Sequence, residues 1–322
     1  MSCSPLRLFL LALLAFILVL ASLDIGSSGY TLPQLLSGQG PRVILEIRVA
    51  RTLAALSAGV VLGVAGLLLQ YSLRNPLADP FLLGISPAAV LAVVLLALSA
   101  PSILGFYAAS ALAAVAGGLG GLALVLLLSR FAVDAVTTIL AGIAVSTTLS
   151  GAAYALDYLA SEKLGWPPSH ALFGGFAGIL PSTAPLLAAT AIAALAAGLA
   201  LAPRLEALLY GDDAAVLSGV EPRVARLAAL LAAGVTVALI TGYVGVIGFV
   251  GLIAPNAARR LLSCVEGRSV AVASALLGAS VTLAADIASR LAGLYTSLGE
   301  IPAGALIAVA GGAALSLLVA RG

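Results

Sequence analysis

Long stretches without a charged side chain constrain the fold of this sequence more than any other feature. No Asp, Glu, Lys or Arg lies between Asp79 and Arg130, and the run from Leu6 to Leu23 holds only Arg7. A charged side chain at the centre of a bilayer costs at least a few kcal/mol, so charges collect where helices leave the membrane. The pattern therefore predicts membrane-spanning helices joined by short charged segments.

The composition supports the same interpretation. Of the 322 residues, 62% are hydrophobic and 9% are charged, whereas soluble domains are about half apolar and about a quarter charged. A soluble fold could not bury so much apolar surface, which excludes a soluble enzyme, a disordered chain and a nucleic-acid binder. With about 20 apolar residues per span, the chain is long enough for about ten crossings. We predict an all-α polytopic membrane protein embedded in lipid, with residues 1–322 as one transmembrane domain.

The gaps between charges give the approximate spans. The first apolar run could be a cleaved signal sequence, but it is long for one and lacks a small-x-small exit, so we expect an uncleaved helix. A second helix ends at Arg74, and the uncharged stretch after Asp79 is expected to form two helices that separate near Pro101. The remaining predicted helices cover 137–156, 186–201, 227–243, a short helix ending at 255, 270–291 and 301–319.

Orientation follows from the positions of Arg and Lys. With an inside N-terminus and ten spans, ten of the 15 basic residues lie in the cytoplasm, which satisfies the positive-inside rule. The outside group is Arg42, Arg48, Arg51, Lys163 and Arg290. An even number of spans also returns the C-terminus to the cytoplasm. The flipped topology would invert the bias.

Charged residues are concentrated in one segment, residues 203–226, which we call the charged loop. Asp212 can cap a short helix that continues to Leu217, Gly219 can end it, and Pro222 suits the first turn of the next helix. The pattern predicts two short amphipathic helices on the inner surface. The segment is either an ordinary solvated loop or a docking element for a soluble partner.

Glycine and proline mark close packing and rigid turns. Pairs spaced as GxxxG occur at Gly59–Gly63, Gly117–Gly121 and Gly174–Gly178, and such pairs let helix backbones approach closely. Glycine also recurs every third residue from 242 to 251, which indicates a tight, irregular segment buried among helices. The segment Arg74–Pro80 holds two prolines, which fix the backbone of a turn between two helices.

The sequence lacks the motifs of an ATPase or a hydrolase. The only lysine, Lys163, follows a glutamate, so there is no phosphate-binding loop of the GxxxxGK[ST] type. His170 has no Cys/His partner at metal-ligand spacing and no orienting acid, so we expect no catalytic residue, metal site or cofactor. Asp286 is the best candidate for a charge inside a span, and Arg290 four residues later predicts a local ion pair.

Three blocks carry a resemblance to a known family. The first runs from Arg48 to Ser86 and includes RNPLADPFLLG, the second is GVIGFVGLIAPNAAR at 245–259, and the third is EIPAGALIA at 300–308. They resemble the permease subunits of binding-protein-dependent ABC importers for iron chelates, haem and vitamin B12, of the FecCD/BtuC type. The sequence departs from the family pattern at Asn256, where a histidine is usual, and at Gly311–Gly312, where the last helix usually has Gly-x-Pro.

The resemblance implies an activity and a set of partners. Permeases of this family are homodimers of ten-helix subunits that import a metal chelate across the cytoplasmic (inner) membrane. Two copies of a separate ATP-binding-cassette ATPase subunit bind on the inner side, and an extracellular or periplasmic substrate-binding protein docks on the outer side. On this basis the chain is not itself an enzyme. Its expected cargo is a ferric siderophore, followed by cobalamin and then haem.

The resemblance also assigns site residues. Within the charged loop, GDDAAVLSGVEPRVAR resembles the family's ATPase-coupling loop. Arg48, Arg51 and Arg290 match the arginines that dock acidic residues of the binding protein, and Asn75 and Leu77 lie by the inner gate. The expected coupling residues are Arg204, Asp212, Asp213, Ala215, Leu217, Gly219, Val220 and Arg223.

Two other functions stay open at the level of sequence. A secondary transporter driven by an ion gradient would use an intramembrane charge such as Asp286, but it would leave the charged loop unexplained. A structural membrane scaffold would transport nothing.

Overall fold

The computed structural model describes residues 4–26, 28–100, 107–129, 135–164, 174–264, 266–295 and 299–320. These residues form helices joined by turns, and no β-strand occurs among them. In chain order the helices are α1 (Pro5–Asp24), α2 (Leu32–Leu36), α3 (Arg42–Ser72), α4 (Ile85–Ser99), α5 (Tyr107–Ser129), α6 (Ala135–Leu164), α7 (Ala184–Leu208), α8 (Asp212–Leu217), α9 (Pro222–Val244), α10 (Val250–Leu262), α11 (Gly267–Tyr295) and α12 (Ala303–Ala320).

Apolar helices of membrane-spanning length dominate the described part of the chain. Six of them, α1, α3, α5, α7, α9 and α11, are long and apolar enough to cross a bilayer, and shorter apolar helices lie at Ile85–Ser99 and Ala303–Ala313. The prediction of an all-α polytopic membrane protein is confirmed. The total of ten spans and the cytoplasmic termini stay predictions. The predicted helix break near Pro101 and the lone His170 lie outside the described residues.

Most predicted helices run further than the sequence pattern predicted, and α6 and α10 show why. Helix α6 continues past residue 156 to Leu164, because residues 157–164 include good helix formers and neither glycine nor proline. Helix α10 does not end at Pro255 but continues to Leu262. A proline inside a helix removes one hydrogen bond to the carbonyl four residues earlier. Here the carbonyl of Gly251 instead accepts a hydrogen bond from Gln70 Nε2 at 3.0 Å.

The charged loop contains one short helix, so the prediction of two was wrong. Helix α8 has the predicted bounds, and Gly219 ends it with a φ of 77°. Asp212 is the first residue of α8 rather than its cap, which is Gly211. No second short helix separates from α9, which begins at Pro222 and runs unbroken to Val244. The apolar residues after Pro222 continue the helical turn without a breaker, so the helix extends directly into the next span.

Helix α3 is the centre of the bundle and packs against α11 through glycine. A side chain at Gly59 would overlap the carbonyl of Gly278, and one at Gly63 would overlap the carbonyl of Ser274. In the same way Gly117 and Gly121 of α5 face the backbone of α4. These two predicted GxxxG pairs are therefore helix contacts.

The third pair belongs to an irregular junction. Residues 174–183 form turns rather than a helix, and residues 245–249 interrupt the chain between α9 and α10 with a positive φ at Gly245 and at Phe249. The Gly174 N–H donates to the Val246 carbonyl at 3.0 Å, and the Gly304 N–H donates to the Gly174 carbonyl at 2.7 Å. The irregular segment predicted from the glycine repeat is thus confirmed, and it holds the start of α12.

Candidate functional site

Polar side chains gather at the two ends of α3. Arg48 and Arg51 lie near its start, and Arg74 follows its last turn. At 1.5 Å per residue the two groups are about 30 Å apart, which is the thickness of a bilayer's hydrocarbon core. We call the group around Arg51 the outer cluster and the group around Arg74 the inner cluster, after the predicted orientation.

In the outer cluster, Arg48 is buried and forms hydrogen bonds mainly with backbone carbonyls. Its guanidinium donates to the carbonyls of Leu23 at 3.1 Å, Asp24 at 2.8 Å and Tyr30 at 2.9 Å, and to Ser28 Oγ at 2.9 Å. These four bonds fix the chain between α1 and α2 against α3. The predicted docking role of Arg48 therefore competes with a structural one.

Asp286 of α11 is a second buried member of the outer cluster. It forms the predicted ion pair with Arg290 one turn away, and it also accepts from Arg51 Nε of α3 at 2.8 Å. Arg290 in turn donates to the carbonyls of Ser22 at 2.6 Å and Ile25 at 2.9 Å. Arg51 and Arg290 thus both pair with the Asp286 carboxylate. These pairs, with the bonds of Arg290 to Ser22 and Ile25, hold α1, α3 and α11 together.

Arg51 is the docking candidate that reaches a surface. Its side chain is 13% exposed, and it pairs with Glu300 just before α12, at 2.7 Å. With Arg48 and Arg290 these two residues line a cavity of about 200 Å³. The structure brings the three predicted docking arginines together, and it adds the carboxylate of Glu300, which sequence reasoning did not assign.

The inner turn predicted at Arg74–Pro80 is held by side-chain bonds to its own backbone. Asn75 Oδ1 accepts from the Leu77 N–H at 2.9 Å, and Asp79 Oδ1 accepts from the Phe81 N–H at 2.8 Å. The turn is also tied to α10, because Asn256 Nδ2 donates to the Pro76 carbonyl at 2.9 Å. Asn256 stands where the resemblance led us to expect histidine, so its contact to the turn was not predicted.

Asp212 connects the charged loop to this turn. It accepts two bonds from Arg226 of α9, at 3.0 and 2.6 Å, and forms a close ion pair with Arg74. Arg226 also donates to the carbonyl of Ser72 at the end of α3, at 3.2 Å. Hydrogen bonding from Arg226 and, further, the charge of Arg74 lower the pKa of the Asp212 carboxyl. One carboxylate therefore joins α8, α9 and the last turn of α3.

The other predicted coupling residues divide into a buried support and an exposed face. Ala215 is buried, and its carbonyl accepts from the Val220 N–H at 2.9 Å, which closes the loop at Gly219. Leu217 is 89% exposed, an extreme value for leucine. The remaining exposed members are Arg204, Asp213, Gly219 and Arg223.

No cluster of metal-ligating side chains is present in the described part of the chain. Three or more His, Cys, Asp or Glu residues do not come together anywhere within it. The arrangement instead offers one polar cluster at each end of an apolar bundle, of which the inner cluster connects an exposed loop to a rigid turn.

Curated proteins that resemble this chain are permeases. A hemin transport system permease protein, HmuU of Yersinia pestis, is 31% identical over 86% of this chain and 83% of its own length. A vitamin B12 import system permease protein, BtuC of Klebsiella pneumoniae, is 31% identical over 98% of this chain and 93% of its own. An iron(3+)-hydroxamate import system permease protein, FhuB of Bacillus subtilis, is 30% identical over 84% and 69%.

Structure and family comparisons agree with these relatives. A solved structure described as an inward-facing conformation of a metal-chelate type ABC transporter superposes with a TM-score of 0.79 at 28% identity. The match covers 98% of this chain and 99% of that one. Residues 11–321 match the FecCD transport family. Nearly the whole chain is included in that match, and the chain therefore belongs to the FecCD transport family.

Proposed function

We propose that this chain is the transmembrane permease subunit of an ATP-driven importer for a metal chelate. The observation that carries the proposal is the inner cluster. A loop with an exposed apolar residue, Leu217, is joined through Asp212 to the turn that follows α3. Such a loop offers a contact surface to a soluble partner, whose movement would displace it. The relatives of the chain are permeases of import systems.

The proposed assembly follows from the family. Two copies of the chain form a homodimer in the cytoplasmic membrane, with ten spans each and both termini in the cytoplasm. Two ATP-binding-cassette subunits bind the charged loops and hydrolyse ATP, so the chain itself is not the enzyme. A substrate-binding protein delivers the chelate to the outer side.

Coupling is proposed to run through Asp212. When the ATPase subunits close, they displace α8, whose exposed face includes Leu217. The ion pairs of Asp212 with Arg74 and Arg226 pass this displacement to the end of α3 and the start of α9. The turn holding Asn75 and Leu77 then moves with α3, which supports its expected role at the inner gate.

Docking of the binding protein is proposed to use Arg51. Arg48 and Arg290 are buried and hydrogen-bonded to backbone carbonyls, so in this proposal they hold the outer end together. Arg51 is partly exposed and pairs with Glu300. An acidic side chain of the binding protein could exchange with Glu300 at the same guanidinium.

The cargo is proposed to be a chelated metal rather than a free ion. Relatives at nearly equal identity are named for hemin, vitamin B12 and iron hydroxamate, and these share a metal held in a large organic ligand. Our first choice is a ferric siderophore. The alternative of an ion-gradient-driven transporter is disfavoured because Asp286, the charge that such a transporter would use, is already held in ion pairs with Arg51 and Arg290.

Purification from native membranes tests the assembly. The tagged chain, extracted in a mild detergent, is expected to bring with it an ATPase and to run at the mass of a complex containing two permease chains. Mass spectrometry of the binding protein captured with it then identifies the carried chelate. Recovery of a chain that transports its solute with no associated ATPase would contradict the proposal.

A further inference from the structure

The inner cluster borders a cavity to which the proposed transport cycle assigns no ligand. Its volume is about 250 Å³, many times the space that one water molecule needs. The end of α3, the turn after it, the end of α7 and α10 all contribute to its wall. The lining residues are Gln70, Tyr71, Arg74, Asn75, Pro76, Leu209 and Arg259.

Arg259 brings an uncompensated positive charge to this cavity. One nitrogen of its guanidinium donates to Gln70 Oε1 and to Asn256 Oδ1, both at 2.7 Å, and both acceptors are neutral. No carboxylate of the described residues lies within 4.0 Å of it. Glu206, an acid near this end of the bundle, accepts instead from the Gly267 N–H at 2.8 Å. A guanidinium this sheltered normally has an anionic partner.

Two neighbouring buried polar atoms in the cavity wall form no hydrogen bond of normal geometry. They are Nη1 of Arg259 and the hydroxyl oxygen of Tyr71, and these two side chains interact electrostatically with each other. Tyr71 is 2% exposed, and its ring centroid lies 5.8 Å from the guanidinium carbon of Arg259. Buried polar groups almost always have a partner, so each exception needs an explanation. Both exceptions lie in the wall of the same cavity.

We propose that this cavity binds a small oxyanion of the phosphate type. The free N–H groups of Arg259 and the hydroxyl of Tyr71 would donate to its oxygens, as charge-assisted bonds favour. Arg74, whose charge is paired with Asp212, brings a second guanidinium to the wall, and no acidic residue is among the lining residues. The oxyanion is either free phosphate or the phosphate of a lipid headgroup, because both present the same oxygens.

The test uses the purified chain alone, so its outcome does not depend on the proposed transport function. In one arm, binding of radiolabelled inorganic phosphate is measured by equilibrium dialysis in a neutral detergent, with ionic strength held constant by chloride. In the other arm, the chain is placed in nanodiscs of phosphatidylcholine with or without phosphatidic acid, in a buffer without inorganic phosphate, and retained phosphatidic acid is counted by native mass spectrometry. Saturable binding in the first arm identifies free phosphate, and retention in the second arm identifies a headgroup.

Matched variants locate the site. Arg259→Gln is expected to weaken binding about tenfold or more, and Tyr71→Phe, which keeps the ring, about threefold to tenfold. Arg260→Gln changes the neighbouring arginine, which is exposed, and should leave the affinity within about twofold of the parent. If Arg259→Gln does not fold, the affinity of the Tyr71→Phe variant decides whether the site is in this cavity. Absence of binding in both arms, wild-type affinity in the Arg259 or Tyr71 variant, or an equal loss in Arg260→Gln would overturn the proposal.

Discussion

At the scale of single residues, the buried charged side chains of this chain mainly form bonds that hold helices together. The pair Asp286–Arg290 is four residues apart and could be predicted from spacing. The bonds from Arg51 to Asp286 and from Arg74 to Asp212 join residues 235 and 138 positions apart. No local pattern can predict such contacts, because they depend on how the helices pack. The sequence therefore indicated Arg51 and Arg74, but not the distant carboxylates with which they pair.

Arg48 gives a prediction about stability. Its replacement by methionine keeps most of the side-chain volume but removes four hydrogen bonds and leaves three partly buried carbonyls without this donor. We expect a loss of about 3 kcal/mol or more, measured as a lower midpoint of thermal unfolding in detergent. Arg42→Met is the control, because Arg42 is on the same helix and its side chain is 91% exposed. Equal midpoints for the two variants would show that the four bonds contribute nothing.

Asp212 gives a prediction about pH. Its pKa is lowered in the folded chain, so its ion pairs are fully present above the ordinary carboxyl pKa of about 4 and are lost as the pH falls through the lowered pKa. A spin label at Val216 should become more mobile on such acidification, and Asp212→Asn should show that mobility already at pH 7. Asp213→Asn, which alters the adjacent exposed carboxylate, is expected to behave as the parent. A label whose mobility is the same in both variants would contradict the role of Asp212.

At the scale of elements, the apolar runs predicted most helices, whereas their ends were predicted less well. Helix α10 continues past Pro255 because Gln70, which is distant in sequence, satisfies the carbonyl that the proline frees. The prediction of a second short helix in the charged loop was wrong, because no helix-breaking residue soon after Pro222 ends α9. Helix ends depend on such tertiary bonds and on breakers, and the apolar pattern reports neither.

The contact between α3 and α11 gives a prediction about packing. A methyl group at Gly59 would overlap the Gly278 carbonyl, so Gly59→Ala should destabilise the chain by about 1–3 kcal/mol. Gly120→Ala is the control, because Gly120 is also helical but a methyl group added there would meet no atom of another residue's packing surface within 4 Å. It should be neutral or stabilising by up to about 1 kcal/mol. Thermal unfolding in detergent compares the two, and a stabilised Gly59→Ala would refute the close contact.

Helix α8 gives a prediction about the ATPase partner. Leu217 is 89% exposed, so Leu217→Arg should leave the fold intact and weaken recovery of the ATPase subunit by about tenfold, the effect of losing one contact worth about 1.4 kcal/mol. Leu36→Arg changes a leucine that is 69% exposed near the other end of the bundle, and it should leave recovery unchanged. Quantitative co-purification measures both. Unaltered recovery with Leu217→Arg would exclude this face as the contact.

At the scale of the whole molecule, two independent arguments agree. Counting of basic residues assigned the charged loop to one side of the membrane and Arg48, Arg51 and Arg290 to the other. In the structure these groups lie at opposite ends of α3, about 30 Å apart. The general architecture could thus be predicted from where charges interrupt apolar runs. The choice of cargo could not, because no local sequence pattern marks the residues that contact it.

The central claim is that an ATPase drives this chain and an ion gradient does not. The most direct test is uptake of a ferric siderophore into vesicles that hold the complex purified from its native membranes. We predict accumulation that requires ATP on the ATPase side, stops with vanadate, and persists when ionophores abolish all ion gradients. Accumulation that continues without ATP and disappears with the ionophores would contradict it.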